Sequence, residues 1–356
     1  MNENPEFRKK VLEVCQNDLM NWTQFVTICS NNLILPSIYL KFRSYNILEH
    51  LPLNLRDYLR EIYELNRQRN QAILKQMQSV TLALNGKKIF PLFLKGAGNL
   101  IDDVYSDIGE RLMADIDFLV PEKDFLLSAE IMMNQGYLCT KEMDILENLP
   151  NVKIFPNGVH HYPALYHPDF SAFIEIHRIP THHKYNWFNP EIINAEKKAA
   201  SGLQGCFVQS FQHKIIQNFI HSQLSHKGYL LGNVPLRDIY DLHLLSKHYS
   251  LMDTLPKIKK REKAIAYFAF ARNVFGFDEQ FPPPKNRKYR ILKKKHELMM
   301  DSRLFKKSYL SLIPIILFIN GYTVRFFQAF YSKEIRSEII KNNRNRLKNC
   351  KNLIKK

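Results

Sequence analysis

Leu94-Lys95-Gly96, followed after a gap by Gly109-Glu110-Arg111-Leu112-Met113-Ala114-Asp115-Ile116-Asp117-Phe118-Leu119-Val120, is the stretch on which the fold turns. Upstream of Lys95 the run Ile89-Phe90-Pro91-Leu92-Phe93-Leu94 is short, apolar and bounded by Lys87-Lys88 and Gly96, which predicts a buried strand ending at Lys95-Gly96. Asp115 to Val120 predicts a second strand. Between the two, a short helix is expected from about Ala97 to Tyr105, then a polar turn, Ser106 to Glu110. Side chains at i and i+2 of a strand share a face, so Asp115 and Asp117 project together while Ile116 packs behind them.

Working outward, apolar residues recur at helical spacing from Leu55 to Leu84, through Leu59, Ile62, Tyr63, Ile73, Leu74 and Met77, and Gly86 supplies a stop. Beyond the second strand, Pro121-Glu122-Lys123-Asp124 has the acids favoured in a helix first turn, and that helix should end near Gln135-Gly136. Three short β-like runs follow: Val152 to Phe155, Tyr162 to Tyr166 and Ala172 to Ile176. The last two flank His167-Pro168-Asp169, a turn signal, so they predict an antiparallel hairpin. From about Pro190 the pattern is helical, with Phe211, Ile215 and Phe219 spaced four apart, and Phe281-Pro282-Pro283-Pro284-Lys285 reads as a linker. The resulting expectation is an α+β protein with four segments: N-terminal helices (1–88), a catalytic core (89–190), a helical domain completing the site (191–280) and a basic C-terminal helical region (281–356).

Composition supports a folded chain: 45% of the 356 residues are hydrophobic and 24% charged, enough apolar surface for one large core or two smaller ones. The formal charge of +17 is concentrated in one place, because residues 251–356 hold 26 Lys and Arg against 8 Asp and Glu. A solvated lysine-rich surface and an anionic partner, RNA or a membrane face, both fit that excess. Five scattered cysteines form no C-x-x-C pair, which speaks against a zinc ribbon or disulfide framework and for a reducing compartment. His160-His161 and His182-His183 lack cysteines at ligand spacing, so no zinc site is assigned. The acidic start, Met1 to Glu6, does not resemble a signal peptide, and a cytoplasmic location is expected. Ser308 to Val324 is uncharged but interrupted by Pro314, Asn320 and Gly321, and it falls short of the ~20 apolar residues a spanning helix needs. A buried helix is the first reading of it; an interfacial helix at the inner face of the membrane, flanked by Lys306-Lys307 and the basic tail, is the second.

Paired acids on one strand face suit hard divalent cations, which take carboxylate oxygens. Lys95, beside Gly96 at a strand-to-helix junction, and Arg111, four residues before Asp115, are cations placed for phosphate oxygens. A third carboxylate is expected from a neighbouring strand. Ile174-Glu175-Ile176-His177 puts Glu175 and His177 on one face, and Glu175 is preferred over Asp169, which sits in a turn signal where Asp is common for local reasons. His177 would orient a carboxylate or contact substrate.

Taken together, Leu94-Lys95-Gly96, Gly109-Glu110-Arg111, Asp115 to Val120 and Glu175-Ile176-His177 resemble the bacterial uncharacterised nucleotidyltransferase family of the polymerase β superfamily. Its members read L-K-G, then G-x-R-x-x-x-D-I-D-x-L-V, then E-x-H. The likeness runs from about residue 90 to 245, because His221 and Leu236-Arg237-Asp238-Ile239-Tyr240-Asp241 match an H…LRD..D stretch of the family. Lys95-Gly96-Ala97-Gly98 stands where most of the superfamily has Gly-Gly or Gly-Ser. The resemblance implies a mixed sheet backed by helices, with Asp115, Asp117 and Glu175 binding two Mg²⁺ ions (or Mn²⁺) on adjacent strands. It also implies NMP transfer from an NTP to an acceptor hydroxyl with release of pyrophosphate, and Lys95, Gly96, Arg111, His177, His221, Arg237, Asp238 and Asp241 in the nucleotide site.

Three other functions share some of these features. A D-x-D glycosyltransferase using a nucleotide sugar would open with alternating strands and helices, whereas residues 1–88 read as helical throughout. A nucleotidyltransferase toxin acting on tRNA would use the basic C-terminal part for phosphate contacts, and its tRNA binding would weaken steeply with salt. A membrane-surface adaptor that had lost activity would have no need of the acids.

Overall fold

The structure is a computed structural model and describes residues 5–16, 20–139, 160–275, 287–302 and 304–312. The run at 152–155, the linker at 281–285, the tail beyond Lys341 and all but the first five residues of the 308–324 stretch lie outside the described residues. The chain divides into two compact units, Met1–Lys293 and Lys294–Lys356.

The first unit opens with helices α1 (Pro5–Cys15), α2 (Trp22–Asn31), α3 (Leu35–Ser44) and α4 (Leu53–Asn85). In α4 the predicted apolar spacing is realised: Leu59, Ile73, Met77 and Leu84 are fully buried, and Gly86 takes the C-cap. Then come β1 (Leu92–Phe93), α5 (Lys95–Leu100), β2 (Asp115–Leu119), α6 (Phe125–Asn134), β3 (Leu138–Cys139), β4 (Leu165–Tyr166) and β5 (Phe173–His177). After α7 (Pro190–Ala195), strands β6 (Lys198–Ala199) and β7 (Phe207–Val208) complete a sheet ordered β3-β4-β5-β2-β1-β7-β6. β2 pairs parallel with β5 and antiparallel with β1, so the sheet is mixed. The hairpin around His167-Pro168-Asp169 is present, with Leu165 paired to Ile174. Helix α6 ends where expected, with Gly136 at φ 92, in the left-handed region that suits glycine.

The first strand is shorter than the sequence predicts, and the helix after it starts two residues earlier, at Lys95 rather than Ala97. Leu94 still donates its N–H to the Asp117 carbonyl at 2.9 Å, then Lys95 adopts φ 50 and the chain turns directly into α5. Phe93 and Phe118 are buried back to back across β1 and β2, with ring centroids 5.9 Å apart at 61°. Such an edge-to-face pair contributes about 0.5–1.5 kcal/mol beyond its area burial.

C-terminal to the sheet lie α8 (Phe211–Phe219), a π-helical turn (Ile220–Ser225), α9 (Gly228–Leu231), α10 (Leu236–Ser246), α11 (Leu251–Thr254), α12 (Arg261–Phe275) and α13 (Arg287–Asp301). Their buried faces share a core with Leu94 and Leu119 of the sheet region, which seats this helical layer against the strands that carry the acids. The α+β architecture, a mixed sheet backed by helices, is as the sequence predicts.

Candidate active site

The parallel register of β2 and β5 sets Asp117 directly opposite Glu175, and Asp115 opposite Phe173. Asp117 is buried, while Asp115 stands at the exposed start of its strand. Asp117, Glu175 and His177 each offer one ligand atom within 4.8 Å of the others. His177 Nε2 lies 2.9 Å from Asp117 Oδ1 and 3.5 Å from Glu175 Oε2, so this ring links the two acids.

Lys95 reaches the same place from the neighbouring strand end, and its Nζ donates to Asp117 Oδ1 at 2.5 Å. Burial alone would raise the Asp117 carboxyl, but the Lys95 ammonium and the His177 ring outweigh it and hold that group well below the usual carboxylate range. Lys95 and His177 are both raised: burial disfavours their charged forms, and the surrounding carboxylates more than compensate. Asp115 is raised by partial desolvation and by repulsion from Asp117 and Glu175. Three carboxylates crowded around one ammonium make a donor set suited to hard cations.

Arg111, on the wall of the same site, already has a carboxylate partner. Its Nε donates to Asp241 Oδ2 at 2.9 Å, and the Tyr105 hydroxyl donates to Asp241 Oδ1 at 2.9 Å, a buried knot between the loop before β2 and helix α10. Burial works against the Arg111 charge, yet Asp241 and its neighbours push the guanidinium still higher, so it stays cationic. Gly96 sits against this arginine so closely that a Cβ would collide with Nη1. Asp238 is also buried and is raised by desolvation, with Arg237 Nε 3.7 Å from its Oδ1.

Two cavities meet at the acids and share Lys95, Asp115, Gln217, His221 and Arg237. The smaller, about 110 Å³, extends past Gly96 and Arg111 to Asp238 and Asp241. The larger, about 440 Å³, extends past Glu175 and His177. His221 stands between them on the π-helical turn, a departure from α-helix that often accompanies functional positions. All eleven residues singled out in the sequence therefore line one cavity or both. Asp169, the rejected alternative, is 88% exposed in its turn, where its backbone N–H donates to His167 Nδ1 at 3.1 Å.

Other residues in these walls escaped the sequence reading. Gln209 is 1% exposed on the smaller cavity with neither amide atom bonded among the described residues. Lys214, buried in ion-pair contact with Asp102, is pushed down to about 8 by desolvation. His160, His161 and His182 line the larger cavity; the rings of His160 and His161 lie near each other and near His177, and His182 lies near His160. Adjacent histidines in loops carry no periodic signal, and nothing in their spacing links them to the acids.

Comparison with known proteins identifies the family. The model of a family described as uncharacterised nucleotidyltransferase matches residues 18–279. The chain belongs to that family. It is thus a transferase of nucleotidyl groups, and the motif series from Lys95 to Asp241 lies inside the matched span. No curated protein matches the nucleotidyltransferase. Among solved structures, the solution structure of the antibiotic-resistance factor ANT(2'')-Ia is similar, at 11% identity and a TM-score of 0.37, covering 59% of this chain and 98% of that one.

Proposed function

We propose that the protein moves an NMP from an NTP to an acceptor hydroxyl, with release of pyrophosphate, at a site built on Asp115, Asp117 and Glu175. The observation that carries this reading is the register of β2 and β5, which places Asp117 beside Glu175 with Asp115 on the same strand face. Mg²⁺ fits the donor set, because the acids already gather around a cation, Lys95, and repel one another. Asp115, Asp117 and Glu175 would hold the two ions. When bound, the metal supplies Lewis-acid stabilisation of phosphate charge and lowers the pKa of an attacking hydroxyl.

The chain's own groups divide the remaining work. Lys95 and Arg111, on the smaller cavity, face charge on the triphosphate. Arg111 is held by Asp241, so its fork is fixed in orientation before substrate arrives, and Gly96 brings backbone close to the same point. His177 keeps Asp117 and Glu175 in register through a hydrogen bond to Asp117 and an ion-pair contact with Glu175. Glu175, on the larger cavity, positions and deprotonates the acceptor hydroxyl for in-line attack at the α-phosphorus. His221, Asp238 and Asp241 complete the nucleotide side.

The test is transfer of label from each α-labelled NTP with Mg²⁺ in a cell extract, comparing wild type with Asp115→Ala/Asp117→Ala. Label that appears in an acceptor only with the wild-type protein supports the reading, and identical labelling by the two proteins removes it. The tRNA alternative predicts that the labelled species is tRNA. A glycosyltransferase would release a nucleoside diphosphate and no pyrophosphate.

A further inference from the structure

The two cavities differ in the chemistry of their walls. Arg111, Asp238 and Asp241 face only the smaller one, Glu175 and His177 only the larger one, and Asp115 stands on both. If Asp115, Asp117 and Glu175 transfer the nucleotide, a reading on which this inference rests, the side bearing Glu175 belongs to the acceptor. Beyond the acids, that wall offers His160, His161, His182 and His226, with Thr181 and Lys184. Among the described residues that line it, Asp115 and Glu175 are the only carboxylates. Both sit at the reacting end, next to Lys95.

This is an unsuitable wall for an acceptor with several ammonium groups. Each buried ammonium would need a carboxylate partner, and among the described residues that line the wall none remains for it. The positive side is under-committed. Arg237 reaches into both cavities, and its buried Nε has no hydrogen-bond partner among the described residues; Asp238, 3.7 Å away, is an ion-pair contact only. Lys184, exposed on the turn His183–Tyr185 with its ammonium over the Tyr185 ring, adds a second cation to this wall, and the imidazoles supply donors and acceptors for hydroxyls. A volume of about 440 Å³ suits a single sugar-sized molecule. From these walls we infer that the larger cavity takes a small polyhydroxyl acceptor bearing an anionic group, a phosphate or a carboxylate.

Calorimetric titration of the full-length protein, without any triphosphate, tests this with four probes: glucose 6-phosphate, glucuronate, glucose and neamine. At least one of the two anions should bind about tenfold or more tighter than both glucose and neamine, a difference that one well-placed charge pair can supply. Lys184→Glu, an exposed substitution that spares the fold, should reduce that binding by about tenfold or more. Its thermal melt should stay that of wild type. Binding of neamine or glucose as tight as that of the anions, absence of binding by both anions, or an unchanged affinity in Lys184→Glu overturns the inference. The titration contains no triphosphate, so a failure of nucleotidyl transfer would appear separately, in the labelling experiment and not here.

Discussion

At position 95 a lysine stands where the backbone takes φ 50, a conformation that costs a non-glycine residue about 1–3 kcal/mol. The strain sits beside the acids and aims the ammonium at Asp117. Replacing Lys95 with Met keeps the length of the side chain and removes its charge, so nucleotidyl transfer should fall by about 10²–10³-fold. The Asp117 carboxyl, relieved of its nearest cation, should titrate at higher pH in the variant; carbon-detected NMR of labelled Asp measures this directly. If Asp117 titrates unchanged, Lys95 is not what holds it ionised. Gly96 makes a second case at this scale. In Gly96→Ala the new methyl must displace the Arg111 guanidinium, which should raise KM for the triphosphate more than it lowers kcat, whereas a merely destabilised fold would scale both with the amount of folded enzyme.

Helix α4 holds the loop that carries Arg111. Asn66 donates to the Gly109 carbonyl at 2.8 Å, and Asn70 donates to those of Ile108 at 2.5 Å and Arg111 at 2.8 Å. Gln76 imitates a strand edge, giving and accepting hydrogen bonds with the backbone of Ala172 beside β5. Asn70→Ala leaves two buried carbonyls without that donor, so the urea midpoint should fall by the equivalent of about 1–3 kcal/mol. A variant as stable as wild type would show that the loop stands without α4. The apolar period of this helix is plain in the sequence, but a buried Asn within it looks like any solvated Asn, because its partners are carbonyls some forty positions away. The same limit applies to strands of two residues such as β1 and β7, which are too short to show an alternation. The i, i+2 pair on β2 was legible because both acids lie on one short segment, and Glu175 because apolar neighbours alternate around it. The pairing of Arg111 with Asp241 spans 130 positions, and only the packing of α10 against the loop reveals it.

Over the whole molecule, basic charge is concentrated at the C-terminal end while the acids sit centrally in the first unit, and among the described residues no helix is long and apolar enough to cross a membrane. Several histidines of that unit are kept neutral by burial: His243 is pushed down to about 3, His160 to about 3 and His221 to about 2. Each is less readily protonated folded than unfolded, so the unfolded chain binds more protons below pH ~6.5 and stability falls as pH drops through that range. The slope is at most about 1.4 kcal/mol per pH unit for each such group. Melting temperature should therefore drop between pH 7.5 and 5.5, and His243→Phe, which removes one titrating ring from a stack on Phe275, should shrink the drop. An equal drop in wild type and variant would contradict a neutral buried His243. The central claim concerns the acids themselves, and Mn²⁺ binding followed by electron paramagnetic resonance, with a non-hydrolysable triphosphate present, tests it most directly. The account predicts two bound ions in the wild-type protein and loss of both in Asp115→Asn/Asp117→Asn. Equal Mn²⁺ binding by the two proteins would contradict it.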